Sequence, residues 1–258
     1  MSKIRLQELI ETAESVREVT ERTRAENHGR KPSELGRILD EAAQETIVGT
    51  LKRLGVSATM VSEEGDAIIG GGDQMLIVDP IDGTVNYSRG LRPASTSLAV
   101  SETGTFSGIT AGVVMDLYTG EAFAAEAGKG ATLDSKSIKT APPFPSGEAI
   151  IAVDLSKRPR LDRVSGLLNA VEHNRQIGST ALSLCYIAAG RLDAHVDVRG
   201  LIRATDVAAA LLILREAGGI YAIDGTPFGD LPVTRQTRMD LVAASSGWVF
   251  NEISGLIK

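Results

Sequence analysis

The most informative stretch of this 258-residue chain is MLIVDPIDGT, at residues 75–84. Its four apolar residues predict a short buried strand, and Asp79 and Asp82 follow at the end of that strand. Pro80 fixes its own backbone angle and Gly83 permits a tight turn, so the two carboxylates can converge on one point. Two carboxylates this close repel each other unless a cation neutralises them, and such hard oxygen ligands suit Mg²⁺ or Mn²⁺.

The same composition is also common in ordinary turns, where aspartates accept hydrogen bonds from nearby backbone N–H groups. Two further acidic segments favour the metal site. Glu63 and Glu64 follow another predicted strand, and Asp206 lies at the start of a predicted helix, where it could serve only as a cap. Acidic residues at three such positions are a less common coincidence than one, so we expect a cation site.

Apolar residues at three- and four-residue steps predict two long helices in the first part of the chain, over 4–26 and 34–54. Short strands bounded by glycine-containing turns follow, as in an antiparallel sheet. These predicted strands are 58–62, 75–78, 95–100, 107–116 and 120–125. Helices followed by a strand meander indicate an α+β fold rather than simple βαβ repetition.

The second part of the chain follows APPFPSG, at 141–147, whose three prolines mark the expected joint between two halves. We place an N-terminal α+β half at 1–145 and a C-terminal α/β half at 146–258. Beyond the joint, strands are predicted at 149–153, 192–198, 219–223 and 240–244, and helices at 160–173, 179–189, 205–217 and from 247. Two such halves in one chain of this length suggest a layered sandwich.

Composition argues against several classes of protein. The chain has 27 Lys and Arg against 33 Asp and Glu, a net charge of −6, whereas proteins that bind nucleic acid by bulk charge are basic. Its 43% hydrophobic residues are too many for a disordered chain, and no apolar run approaches the ~18 residues of a membrane span. The N-terminus lacks the apolar core of a signal peptide. We therefore expect a cytoplasmic protein with no nucleic-acid or membrane partner, in which the single cysteine, Cys185, is buried.

Four segments resemble the inositol monophosphatase family, the Mg²⁺-dependent, lithium-sensitive phosphatases that include fructose-1,6-bisphosphatases. They are VSEEG (61–65), DPIDGT (79–84), GSTAL (178–182) and TDVAAALLILREAGG (205–219), and they occur in the family's order. The resemblance implies a five-layered α-β-α-β-α sandwich of the sugar phosphatase type. It also implies a homodimer and a small phosphorylated polyol or sugar as the substrate.

The resemblance further implies which residues bind metal. Glu63, Asp79 and the backbone carbonyl of Ile81 would bind one Mg²⁺, and Asp79, Asp82 and Asp206 would bind a second. Asp79 would then bridge the two ions, and Glu63 would help to hold a third, looser ion where one is present. The expected cofactor is two or three Mg²⁺ per site, with Mn²⁺ as a substitute.

Catalysis in this family is direct transfer of the phosphoryl group to water. The resemblance therefore implies catalytic roles for the bridging Asp79 and for Glu63 and Thr84, which would position the attacking water. The phosphate would lie against backbone N–H groups at the DPIDGT turn. The implied substrate-binding residues are Asp82, Gly83, Thr84, Ser179, Asp197 and Arg199.

The substrate side is open to two interpretations. DVRGLIRATD, at 197–206, is similar to archaeal members that hydrolyse both inositol phosphates and fructose-1,6-bisphosphate. Arg199 could bind a second phosphate through charge-assisted hydrogen bonds, or it could simply pair with Asp193 or Asp197. His195, in the same predicted strand, is expected to be a strand-face residue rather than a ligand.

We therefore predict a Mg²⁺-dependent phosphomonoesterase that acts on inositol-1-phosphate and fructose-1,6-bisphosphate. The alternatives are another sugar-phosphate or nucleotide 3′-phosphatase of the same superfamily, and a non-catalytic metal-binding member. The low aromatic content of 4% counts against an adenine site, and retention of every acidic ligand counts against a non-catalytic protein. The family's N-terminal pattern, a Lys followed by Val-Thr-x-x-Asp, is matched only by Lys31 and Asp40, so a third ion and lithium sensitivity stay open.

Overall fold

The computed structural model describes residues 3–72, 74–145 and 148–258. The helices are α1 (Leu6–Glu26), α2 (Pro32–Arg53), α3 (Thr84–Arg89), α4 (Leu161–Ala170), α5 (Thr180–Ala188), α6 (Ala204–Glu216) and α7 (Gly247–Ser254). The strands are β1 (Ala58–Ser62), β2 (Ala67–Ile69), β3 (Met75–Asp82), β4 (Ser95–Ser101), β5 (Ile109–Asp116), β6 (Ala122–Glu126), β7 (Ala131–Leu133), β8 (Lys136–Ile138), β9 (Ile150–Val153), β10 (His173–Arg175), β11 (Ala194–Arg203), β12 (Ile220–Ile223), β13 (Thr226–Pro227) and β14 (Arg238–Ala244).

These strands form two sheets. The first has the order β2-β1-β3-β4-β5-β6-β7-β8, and the second has the order β10-β9-β11-β14-β12-β13. Each sheet comes from one side of the predicted joint at 141–147. Ser146 and Gly147 of that joint lie outside the described residues, and the boundary between the halves stays a prediction.

The two long N-terminal helices form the first layer, on the outer face of the first sheet. Leu9 of α1 and Leu39 and Ile47 of α2 are fully buried in one apolar cluster with Leu76 and Leu98 of the sheet. Each helix has a polar opposite side, as expected of an amphipathic helix that covers one face of a core. Burial of this face, rather than intrinsic helix propensity, accounts for most of the stability of such helices.

The middle layer, α5 and α6, lies between the sheets. Residues 207–214 of α6, VAAALLIL, are all buried, and a helix that is apolar on all sides needs neighbours on every face. Cys185 of α5 is fully buried in the same cluster, as predicted. The last layer, α4 and α7, covers the outer face of the second sheet, which completes the predicted α-β-α-β-α order. Across the described ranges, none of the helices has the length and apolar character needed to cross a membrane.

The structure differs from the predicted elements in several places. The strand predicted at 192–198 is β11, which continues to Arg203, and the short strands β2, β7, β8 and β13 were not predicted. The strand predicted at 75–78 continues to Asp82, because the chain stays paired with β4 beyond a bulge between Asp79 and Asp82. The first sheet contains one parallel pair, β1 with β3, where we expected antiparallel pairing. The helix predicted at 160–173 ends at Ala170, since the following residues form the edge strand β10.

Candidate active site

The first acidic residues of the site lie at the ends of two neighbouring strands. Because β1 and β3 are parallel, with Ser62 aligned to Val78, the carboxyl ends of both strands lie at the same end of the sheet. The Glu63 N–H donates to the Val78 carbonyl at 3.2 Å, which places Glu63 beside Asp79. The parallel pairing is therefore what brings VSEEG and DPIDGT together.

A tight turn at Gly83 leads from β3 into α3. Gly83 has a φ of +91°, and a Cβ there would lie 3.0 Å from the Gly178 carbonyl oxygen, so a side chain would be both strained and crowded. The Thr84 hydroxyl lies 2.8 Å from the Ile81 carbonyl and 3.2 Å from Asp40 Oδ1, and it can donate to either acceptor. The turn thus fixes the hydroxyl of Thr84 beside the acidic residues.

The third acidic residue comes from the first turn of α6. Asp206 accepts a hydrogen bond from the Arg203 N–H at 3.0 Å and one from the Thr205 hydroxyl at 3.1 Å, so it does cap its helix. One carboxylate oxygen from each of Glu63, Asp79 and Asp206 lies within 4.8 Å of the other two. Capping the helix and taking part in this group are therefore compatible roles for Asp206.

Asp82 lies beside this group of three and is held by the start of α5. Its Oδ2 accepts hydrogen bonds from the Ser179 hydroxyl at 2.6 Å and from the Ala181 N–H at 2.7 Å. Ser179, predicted to bind substrate, therefore contacts Asp82 in this arrangement, and its substrate role stays a prediction. We refer to Glu63, Asp79, Asp82 and Asp206 as the acidic site.

Burial and mutual repulsion shape the electrostatics of the acidic site. Burial, together with the charges of Asp82 and Asp206, raises the pKa of Asp79 well above its usual range. Burial and Asp206 raise the pKa of Asp82 to about 7, and burial and Glu63 raise that of Asp206 to about 6. Arg203 forms an ion pair with Glu63 and offsets one of the four charges.

The residues of the acidic site fit a divalent cation. Their donors are hard carboxylate oxygens, and burial together with the neighbouring carboxylates raises the pKa of Asp79 and Asp82, so a cation at this place would stabilise their ionised forms. Oxygen donors of this kind suit Mg²⁺ and Mn²⁺ alike.

Asp40 is a site residue that the sequence indicated only as a partial match to the family's N-terminal pattern, without a role in the site. It lies on α2, one turn after Gly36. A Cβ added at Gly36 would lie 3.1 Å from the methyl group of Thr84, so this part of α2 packs closely against Thr84. Burial, together with Glu64, raises the pKa of Asp40 to about 7. The sequence signal was that partial pattern, and the structure adds the contact between Asp40 and the Thr84 hydroxyl. Arg235, which donates to the Glu63 carbonyl at 3.1 Å, carried no signal in the sequence.

The predicted substrate residues Asp197 and Arg199 lie in a second group of charges. Arg199 donates to Asp197 Oδ1 at 2.8 Å and Oδ2 at 2.5 Å, and it lies 2.9 Å from Asp154 Oδ2. Its side chain is only 7% exposed and that of Asp197 is fully buried. This is the ion-pair alternative, with Asp154 in place of Asp193, which instead accepts from the Ile150 N–H. Contact with substrate would require this pair to open, and both substrate roles stay predictions.

Comparison with known proteins agrees with this geometry. Residues 2–249 match the model of the inositol monophosphatase family. A fructose-1,6-bisphosphatase/inositol-1-monophosphatase of Thermococcus kodakarensis is 33% identical over 236 residues, covering 90% of this chain and 87% of that protein. The Nus factor SuhB of Xylella fastidiosa is 37% identical over 192 residues, covering 72% of this chain and 67% of that protein.

Solved structures show the same architecture. The structure of an extragenic suppressor from Pyrococcus furiosus is 28% identical and has a TM-score of 0.79, covering 96% of this chain and all of that chain, 100%. The predicted fold and the predicted class of enzyme are therefore confirmed. This chain belongs to the inositol monophosphatase family and is a phosphoric monoester hydrolase.

Proposed function

We propose that this protein is a Mg²⁺-dependent phosphatase that hydrolyses inositol-1-phosphate and fructose-1,6-bisphosphate. The observation that carries the proposal is the convergence of Glu63, Asp79 and Asp206 within 4.8 Å, with Asp82 beside them. The name of the relative from Thermococcus kodakarensis includes both activities, which supports this pair of substrates. A homodimer and a cytoplasmic location, expected from the sequence, belong to the same proposal.

The acidic site would hold the cations in two sets of ligands. Glu63, Asp79 and the Ile81 carbonyl would bind one ion, and Asp79, Asp82 and Asp206 would bind another. Bound there, the cations would offset the charge of the phosphate and lower the pKa of water. Asp79 takes part in both sets and is the most deeply buried of the four carboxylates, which suits a bridging role.

The start of α3 would bind the phosphate. The first N–H groups of a helix have no partner within the helix, so those of Gly83 and Thr84 can donate to phosphate oxygens. The phosphate would then lie beside the carboxylates of Asp79 and Asp82, on the same turn.

Thr84 would position the attacking water, and Asp40 would accept a proton. The Thr84 hydroxyl can accept a hydrogen bond from a water while donating to Asp40 Oδ1, 3.2 Å away. Because the pKa of Asp40 is about 7, its carboxylate can take up a proton near neutral pH. Glu63, beside Asp79, would complete the positioning of this water.

A kinetic panel tests the proposal. We would measure phosphate release from inositol-1-phosphate, fructose-1,6-bisphosphate, glucose-1-phosphate and an adenosine 3′-phosphate, each with Mg²⁺ and with EDTA. The first two should show the highest kcat/KM, and EDTA should abolish release until Mg²⁺ is restored. A preference for the adenosine substrate would instead identify a nucleotidase, and no release from any ester would contradict the proposed activity. Light scattering after gel filtration tests the dimer.

A further inference from the structure

His195 is a buried histidine that none of the site chemistry above uses. Only 3% of it is exposed, and neither ring nitrogen has a hydrogen-bond partner among the described residues. Its neighbours on β11, Ala194 and Val196, pack with α4 and α7, so the imidazole points to the opposite face of the sheet, towards α5 and α6. Leaving a buried donor and acceptor unpaired is costly, which indicates that this ring has a partner in the working protein.

The imidazole faces a small polar cavity between the second sheet and the start of α5. The cavity is lined by Asp154, Ser179, Thr180 and Ser183 in addition to His195. Its volume is about 10 Å³, which is enough for one hydroxyl group and far too little for a phosphate. The cavity therefore fits a single small polar group.

The charge of the surroundings favours a neutral group. Burial lowers the pKa of His195 below its usual value, so the ring is neutral near pH 7 and offers one N–H donor and one acceptor. None of the described residues that line the cavity is a lysine or an arginine, and Arg199, nearby, is paired with Asp154 of the cavity wall, so this lining does not favour an anion. A hydroxyl, which both donates and accepts, is the complement of a neutral imidazole.

The cavity adjoins the acidic site. Ser179, in its wall, donates to Asp82 at 2.6 Å, and Gly178, also in the wall, makes the close approach to Gly83. A substrate whose phosphate lies at the Gly83 turn therefore has its alcohol portion within reach of the start of α5.

We propose that His195 binds one hydroxyl of the alcohol portion of the substrate and thereby selects polyol phosphates over simple phosphate esters. This inference rests on the proposed function. One ring nitrogen donates to the hydroxyl oxygen and the other accepts the hydroxyl proton. His195 is then a specificity-determining residue, separate from the metal ligands.

The test compares three variants on two substrates. His195→Phe keeps a ring but removes both polar atoms, His195→Gln keeps a donor and an acceptor, and His173→Phe is the control, since His173 is exposed on β10 of the same sheet. The substrates are inositol-1-phosphate and p-nitrophenyl phosphate, whose alcohol portion has no free hydroxyl. His195→Phe should raise KM for inositol-1-phosphate about tenfold. It should leave KM for p-nitrophenyl phosphate and the Mg²⁺ requirement unchanged, and His195→Gln should restore part of the loss.

A second measurement uses the unmodified protein. In protein labelled with ¹⁵N-histidine, the ring resonances of His195 should shift on addition of inositol-1-phosphate and not on addition of inorganic phosphate. An equal rise in KM for both substrates, or His195 resonances that ignore inositol-1-phosphate, would overturn the inference. A wild-type protein that hydrolyses neither ester would overturn the proposed function first, and the inference with it.

Discussion

Two groups of carboxylates in this molecule differ in how their charge is neutralised. In the group beside the second sheet, Arg199 contacts both Asp154 and Asp197 at 2.5 to 2.9 Å. In the acidic site at the edge of the first sheet, the pKa values of Asp79 and Asp82 are raised instead. The Arg199 group is complete within the chain, whereas the acidic site lacks enough positive charge of its own.

This difference has a structural cause. Arg199 is two residues from Asp197 on one strand, so one guanidinium fork spans the acidic groups with little loss of freedom. The acidic site is assembled from two strand ends and one helix start, and its guanidinium, that of Arg203, pairs with Glu63 at the rim. A buried charge that has no partner must be protonated or bind an ion from solution. The acidic site is thus built to need a cation.

Removing a bridging ligand should have the largest effect. Asp79→Asn is expected to lower kcat by about a thousandfold, roughly 4 kcal/mol of barrier, because one carboxylate serves both sets of ligands. Asp116→Asn is the matched control. Asp116 is a buried aspartate of the same sheet whose carboxylate accepts hydrogen bonds from the backbone N–H groups of Tyr118 and Thr119, at 2.7 and 3.1 Å. Steady-state kinetics and calorimetric Mg²⁺ titration measure both changes. Near-full turnover of Asp79→Asn at low Mg²⁺ would exclude a bridging role.

Breaking the Arg199 group should cost stability rather than metal affinity. Arg199→Ala leaves Asp197 buried without its partner and is expected to reduce the free energy of unfolding by about 3 kcal/mol. The control, Arg160→Ala, removes an ion pair with Asp162 whose side chains are 50% and 67% exposed, and should leave the free energy of unfolding nearly unchanged. Urea denaturation at fixed Mg²⁺ measures both. Equal losses in the two variants would show that the Arg199 group is not the self-contained unit described above.

The kinetics of Arg199→Ala also test its predicted role towards substrate. A selective rise in KM for fructose-1,6-bisphosphate, with inositol-1-phosphate unaffected, would support binding of a second phosphate. Equal effects on both substrates would leave Arg199 as a purely internal ion pair.

The stability of the metal-free protein should depend on pH in a direction fixed by the acidic site. Folding raises the pKa of Asp82 from 3.8 to about 7 and that of Asp206 to about 6, so both groups bind protons more tightly when folded. The contribution of these two groups to the free energy of unfolding is therefore greatest below pH ~4. This contribution is lost as the pH rises through about 7. In EDTA, Tm should fall by about 5 °C between pH 5 and pH 8.

Saturating Mg²⁺ should remove most of this fall, because the cation stabilises the ionised carboxylates. Differential scanning calorimetry with and without Mg²⁺ separates the acidic site from other titrating groups. A difference between the two conditions that did not grow with pH would contradict the assignment of these carboxylates to the cation.

The local parts of the site could be predicted from sequence. DPIDGT carries its acidic residues, its turn and its hydroxyl within six positions, so chemistry and spacing are visible together. The long-range parts could not. The parallel pairing of β1 with β3 is decided by the whole sheet, and Asp40 meets Thr84 across 44 positions of sequence. Likewise Asp197, two residues from Arg199, was predicted as its partner and is in contact with it, whereas Asp154, on the loop after a neighbouring strand, is a second partner that the local sequence did not indicate.

The smallest expected effect concerns Arg203. It gives the acidic site an arginine–carboxylate ion pair of the kind that the Arg199 group contains. Its guanidinium pairs with Glu63, a proposed metal ligand, as Arg199 pairs with Asp197, but the Arg203 side chain is 35% exposed. A pair this open is held weakly, and a divalent cation should displace it.

Arg203→Ala should therefore tighten Mg²⁺ binding in the absence of substrate by about threefold, under ~1 kcal/mol, because a competing charge is removed. Arg203→Lys should bind Mg²⁺ much as the wild type does. Arg238→Ala is the control, since Arg238 is an exposed arginine whose hydrogen bonds to described residues go to the Arg235 and Thr237 carbonyls. Calorimetry at low ionic strength measures all three. Weaker Mg²⁺ binding by Arg203→Ala would mean that the guanidinium orients Glu63 for the cation. An arginine would then be a working part of the acidic site, as it is in the Arg199 group, contrary to what the raised pKa values indicate.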